Sequence, residues 1–161
     1  MVTETDRAWL AGIWDGEGSI SLFSNNEHNG SVKLKPVVNM VNTDLAIINK
    51  VLDILEQAGC KPYIVNRPHS KKNANHRDVV EIKFSSIPSI IPALELMVPY
   101  LCGTKRAKAE ILLRYAKRRA DKFAVGDRTY DEDDWNDYEQ IRSSETTREA
   151  PVANSTLWKK I

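Results

Sequence analysis

Residues 9–20 read Trp9-Leu10-Ala11-Gly12-Ile13-Trp14-Asp15-Gly16-Glu17-Gly18-Ser19-Ile20, and the organisation of the chain can be worked out from this stretch. Trp9, Leu10, Ile13 and Trp14 recur at the three- and four-residue spacing of a helix face, with Thr5 or Asp6 as the expected cap of the first turn. Gly16-Glu17-Gly18 closes that helix. Ser19-Ile20-Ser21-Leu22-Phe23 then alternates polar with apolar, the period of a half-buried strand. Gly12 and Gly16 are four residues apart and share a helix face, where the absence of Cβ atoms lets another helix approach closely. Two acids, Asp15 and Glu17, stand at the point where the helix ends.

The same change of period continues outward. A polar turn at 24–30 leads to a second strand at 31–41, in which Leu34, Val38 and Met40 have one parity and Lys33, Lys35 and Asn39 the other. Asn42-Thr43-Asp44 offers capping chemistry before Leu45, Ile48, Val51, Leu52 and Leu55, a helix that ends at Gly59. Strands at 62–67 and 79–84 flank a basic loop, 68–77. Prolines 88, 92 and 99 predict short or broken helical turns over 85–101. A helix follows at 104–119, with Ile111, Leu112, Tyr115 and Ala116 facing a core, and another at about 131–143, then a polar tail at 144–161. The expected class is α+β: an α-β-β-α-β-β-α core with a four-stranded antiparallel sheet, plus C-terminal helices. Helices on one face of such a sheet leave its other face free. The division expected is a core over 1–122 and an acidic helical extension and tail over 123–161, within one domain.

The chain has 161 residues, 23 Lys plus Arg and 22 Asp plus Glu, for a net charge of +1. So small a charge argues against a nucleic-acid partner until it is resolved along the chain. Residues 1–122 hold 18 basic and 13 acidic side chains, and 123–161 hold 5 and 9, so the total is a cancellation. The acidic run at 131–134 reads as a solvated helix face. On the free sheet face, Lys33, Lys35, Asn39, Arg67 and Lys83 would project together with Ser19 and Ser21; a curved basic ribbon can enter a DNA major groove, but the exposed side of any sheet is polar, and alternation alone favours that plainer reading. Lys71, Lys72 and Arg77, in the basic loop, suit phosphates. Cys60 and Cys102 lack a C-x-x-C spacing and the three histidines lack ligand spacing, which argues against zinc and redox chemistry. No stretch reaches the roughly 20 apolar residues of a membrane span, and residues 1–6 lack the pattern of a signal peptide. The expected location is intracellular, in a prokaryotic cytoplasm or an organelle.

Residues 10–18 resemble the nine-residue signature of the LAGLIDADG homing endonucleases: Leu-Ala-Gly, two apolar residues, an acid, a small residue, an acid, then Gly, followed at once by a strand. The order of elements is similar to the family's core as far as about Lys122. The resemblance implies a site-specific double-strand DNA endonuclease of intron or mobile-element homing. A single-motif member would act as a homodimer on a long pseudo-palindromic target, cutting across the minor groove to leave short 3′ overhangs. Leu10, Ala11, Gly12, Asp15 and Gly16 would form the dimer seam, with Asp15 in a structural role. Glu17 would be the metal-binding acid, with the Gly16 carbonyl as a further ligand. The cofactor would be Mg²⁺, for which Mn²⁺ would substitute. Asn42 matches a polar residue that orders water near the metals, its alternative role being that of a helix cap. Lys105 matches a lysine near the scissile phosphate. The alternative activity is a non-cleaving RNA maturase or DNA-binding regulator on the same fold.

Overall fold

The computed structural model describes residues 1–67 and 78–146, so Lys71, Lys72, Arg77 and most of the expected tail lie outside the described residues. Helix α1, Glu4–Glu17, starts earlier than expected. Thr3 is its cap: the Thr3 hydroxyl accepts the Asp6 N–H at 3.1 Å, and the Asp6 carboxylate accepts the Thr3 N–H at 3.1 Å. The chain turns directly from α1 into strand β1, Gly18–Asn26. A Cβ on residue 18 would lie 2.3 Å from Trp14 Cδ1, so only glycine fits where the strand folds back beneath the Trp14 ring.

Strand β2, Val32–Asn42, helix α2, Leu45–Gln57, and strands β3, Tyr63–Arg67, and β4, Val79–Phe84, complete an antiparallel sheet in the order β1-β2-β4-β3. One face carries Ile20, Leu22, Leu34, Val38, Met40, Ile82 and Phe84 into the core, against Leu10 and Trp14 of α1 and the apolar face of α2. Residues 87–97 form one continuous helix, α3, Ile87–Met97, where broken turns were expected. Pro88 lies in the first turn, where no N–H partner is needed, and only Pro92 removes a bond. Ser86 accepts the Ser89 and Ile90 N–H groups at 3.0 Å each, and a single 3₁₀ turn, Val98–Tyr100, follows.

Helix α4, Gly103–Ala124, and helix α5, Glu132–Thr146, correct the reading of the acidic run. Glu132 and Asp133 face solvent, whereas Asp134 and Asp137 are buried against α4. The Arg118 guanidinium donates to Asp134 at 2.9 Å and to Asp137 at 2.8 Å, and Arg114 also pairs with Asp137. Lys122 reaches Asp131 at 2.5 Å and Asp134 at 3.1 Å, and Arg119 approaches Asp134 at 3.3 Å. The Lys122 ammonium, hydrogen-bonded to the Asp131 carboxyl, holds it down to about 2. Helix α5 is thus packed against the core, to which it contributes Ile141. The C-terminal segment also braces the β1–β2 hairpin: the Tyr130 hydroxyl accepts the Leu34 N–H at 3.1 Å, and the Tyr138 and Ser24 hydroxyls lie 3.0 Å apart.

Candidate functional site

The C-terminus of α1 and the N-terminus of α4 complete each other. No basic residue lies in the last turn of α1, and Cys102, at the cap of α4, makes no side-chain cap bond. The Asp15 carboxylate accepts the Cys102 N–H at 3.0 Å, supplying an acid at the start of α4. In return the Lys105 ammonium donates to the Trp14 and Asp15 carbonyls, at 2.8 and 2.6 Å, supplying a cation at the end of α1. Burial pulls the Lys105 pKa below its ordinary value, against the charges of Asp15 and Glu17, which raise it. One oxygen of the Asp15 carboxylate is therefore committed within the chain.

Glu17 is exposed at this junction, and its charge is felt by Lys105. Asn42 ends β2 two residues beyond Met40, the partner of Gly18, and so sits at the sheet end where α1 delivers Glu17. Its Oδ1 accepts the Asp44 N–H at 2.8 Å, while Asp44 accepts the Ala46 N–H and is the cap of α2. The capping role considered for Asn42 thus belongs to Asp44. Leu10 and Ala11 are fully buried in the chain's own core, which corrects their assignment to a seam between chains. Gly12 and Gly16 are exposed, and a Cβ at either would meet nothing within 4 Å. The outward face of α1 is open at its two glycines, directly above Glu17.

The strand register puts the expected sheet residues on one face. Ser19 pairs with Asn39, Asn39 with Lys83, and Lys83 with Tyr63, while Lys35 and Lys33 lie opposite Phe23 and Asn25. Ser21 has the right parity but is 6% exposed, its hydroxyl 3.4 Å from that of Ser19, so only Ser19 is presented. Lys33 pairs with Glu27 at 2.8 Å. Arg67 and Asn39 are not free: both donate to Glu81, at 2.6 and 2.9 Å. Glu81, which shares the parity of Lys83, is the partner that holds both, and strand alternation alone does not reveal that contact. Half-exposed Phe23 and exposed Tyr63 on the same face were missed. Among the described residues no three His, Cys, Asp or Glu side chains cluster as a metal site, and no helix is long and apolar enough to cross a membrane.

Residues 4–125 match the family model of the LAGLIDADG-like domain. No protein of curated function matches the chain. Similar solved structures include the homing endonuclease I-CvuI in complex with the I-CreI target in the presence of Mg, its DNA not cleaved. It is 18% identical with a TM-score of 0.60, over 91% of this chain and 86% of that one. An archaeal intron-encoded homing endonuclease complexed with DNA is 13% identical with a TM-score of 0.56, over 88% of this chain and 98% of that one. The homing endonuclease I-GzeII in complex with its DNA target is 14% identical with a TM-score of 0.57, over 88% of this chain but 44% of that one. At these identities the likeness is one of fold.

Proposed function

The chain belongs to the LAGLIDADG homing endonuclease family, and on that premise we propose that it is a site-specific double-strand DNA endonuclease that acts as a homodimer in intron or mobile-element homing. The observation that carries this reading is half a site: one exposed carboxylate, Glu17, at the foot of a helix face left open at Gly12 and Gly16. A second copy of α1 packed on those glycines would bring a second Glu17 beside the first. The lengths agree, since the chain spans nearly all of one similar structure and less than half of another.

The donor set fits a hard divalent cation only when doubled. Asp15 is committed to the Cys102 N–H, which leaves one carboxylate and the Gly16 carbonyl per chain. Two adjacent carboxylates repel and call for a cation between them. Mg²⁺ or Mn²⁺ held by the two Glu17 carboxylates would supply an activated water and charge stabilisation at the leaving oxygen. Lys105, fixed on two carbonyls beside Glu17, puts a positive charge near the cleaved phosphate. Asn42, its oxygen engaged by the Asp44 N–H, would order solvent through its amide nitrogen at the same end of the sheet. The free sheet face would lie in the major groove, with Lys33, Lys35, Asn39, Lys83, Arg67 and Ser19 toward DNA and Lys71, Lys72 and Arg77 on phosphates.

The test uses a plasmid carrying the joined DNA that flanks this reading frame, with and without Mg²⁺. The wild type linearises it only with Mg²⁺, and Glu17→Gln binds the same site without cutting. A wild type that binds its site tightly and never cuts it with Mg²⁺ present contradicts the nuclease reading and leaves a DNA-binding regulator. Tight binding to intron RNA alone would leave a maturase.

A further inference from the structure

The function proposed above gives no role to the most exposed apolar side chain of the β1–β2 ribbon. Phe23 is 50% exposed while its neighbour Leu22 is 4% exposed, so strand alternation puts the ring on the free face. Val32 and Val41, the other exposed apolar residues of these two strands, are smaller and less exposed. A single exposed phenylalanine is ordinary on a protein surface. Phe23 is set apart by its surroundings: Ser21 and Asn25 flank it on the same face of β1, and Lys35 stands directly across on β2. The strand that carries it is held on both sides. Its pairing with β2 continues to Asn26, and the Ser24 hydroxyl lies 3.0 Å from that of Tyr138 on α5.

We propose that Phe23 is a specificity-determining residue that contacts the C5-methyl group of one thymine in each half-site. This inference rests on the sheet face reading DNA in the major groove as proposed above. The polar side chains of that face suit the donors and acceptors of base edges. A phenylalanine ring has no such group to offer, so a base donor or acceptor pressed against it gives up water without replacement. Among the four bases only thymine presents an apolar group in the major groove, and phenylalanine is among the side chains that suit its methyl. The contact takes apolar surface of both partners out of water. Its place in the site follows from the strand. Phe23 lies five residues beyond Gly18, the turn at which Glu17 is delivered. At about 3.4 Å per residue that is about 17 Å, or about five base pairs at about 3.4 Å each along the groove.

The test is selection from a randomised double-stranded DNA pool in Ca²⁺ by the full-length wild type. Binding of the selected duplex is then measured with deoxyuridine in place of each thymine in turn, a change that removes only the methyl group. The wild type selects thymine about five base pairs from the centre of the site, and deoxyuridine there weakens binding about fourfold per half-site, the worth of one buried methyl-sized group. Phe23→Ser binds the thymine and deoxyuridine duplexes alike at that position and keeps the wild-type response at every other thymine. A wild-type profile with no methyl-dependent thymine near that position, or a methyl dependence there that Phe23→Ser retains in full, overturns the proposal. Should Phe23→Ser fail to give a cooperative melt, the wild type alone decides, by whether a methyl-dependent thymine stands about five base pairs from the centre. A wild type that selects no duplex overturns the DNA-reading function as well, an outcome distinct from selection without a methyl-dependent thymine.

Discussion

Two basic surfaces of this molecule, similar in sequence, have opposite fates. On α4, Arg114, Arg118, Arg119 and Lys122 all meet carboxylates of the C-terminal segment, at Asp131, Asp134 and Asp137, and much of that contact is out of water. On the free sheet face, Lys35 and Lys83 are in no salt bridge among the described residues, and the exposed glycines of α1 have nothing packed against them. The first surface is closed within the chain and its charge serves the fold. The second is open, and the proposed function uses its charge for DNA and its two exposed glycines for a second chain. Net charge cannot separate the two uses, because the acids that bring the total near zero include Asp131, Asp134 and Asp137, which pair with α4 and not with the sheet.

The comparison breaks most visibly at Asp134. Asp134→Ala leaves Arg119, itself buried, without its carboxylate and should cost about 3–5 kcal/mol in denaturant unfolding. DNA affinity, measured where the variant is still folded, should be unchanged. Gly18→Ala sets a methyl group 2.3 Å from the Trp14 ring and should cost about 1–3 kcal/mol. On the open side the pattern reverses. Lys35→Ala and Lys83→Ala should leave stability within about 0.5 kcal/mol while weakening DNA binding, each lowering the slope of log affinity against log salt by about 0.9 if it neutralises a phosphate. The smallest effect is acid-dependent. The Asp131 carboxyl is held at about 2 by Lys122, so the stability it contributes is complete above its unfolded value, about 3.9, and is lost as pH falls toward about 2. Melting temperatures between pH 5 and 2 should therefore fall more steeply for the wild type than for Asp131→Asn.

Much of this was legible in the sequence, for definite reasons. The period change at Gly16-Glu17-Gly18 marked the helix-to-strand turn, and strand parity put Lys33, Lys35, Asn39 and Lys83 on one face, because a pleat allows no other arrangement. The misses came from contacts between distant elements. Arg114, Arg118 and Lys122 are four apart and Asp131, Asp134 and Asp137 three apart, so two facing stripes were written in the chain, but neither stripe shows that its partner is adjacent. Pro92 suggested a break that the burial of Ile90, Ala93, Leu94 and Met97 outweighs. Parity could name Glu81 as outward-facing, and only the pairing of three strands shows it gripping Asn39 and Arg67. Leu10 and Ala11 are small or apolar like the rest of their motif, and only the helix's seating in the core separates them from Gly12 and Gly16.

The central claim is that the open side of one chain is half of a site completed by a second. The mass of the complex formed on a single target duplex in Ca²⁺ tests it most directly, by sedimentation of the wild type and of Gly12→Leu. The account predicts two 18.2 kDa chains per duplex for the wild type. It predicts loss of that complex for Gly12→Leu with the melting temperature not lowered, since the added side chain enters open space in the single chain and replaces a glycine inside a helix. One wild-type chain per duplex, bound tightly and specifically, would contradict it.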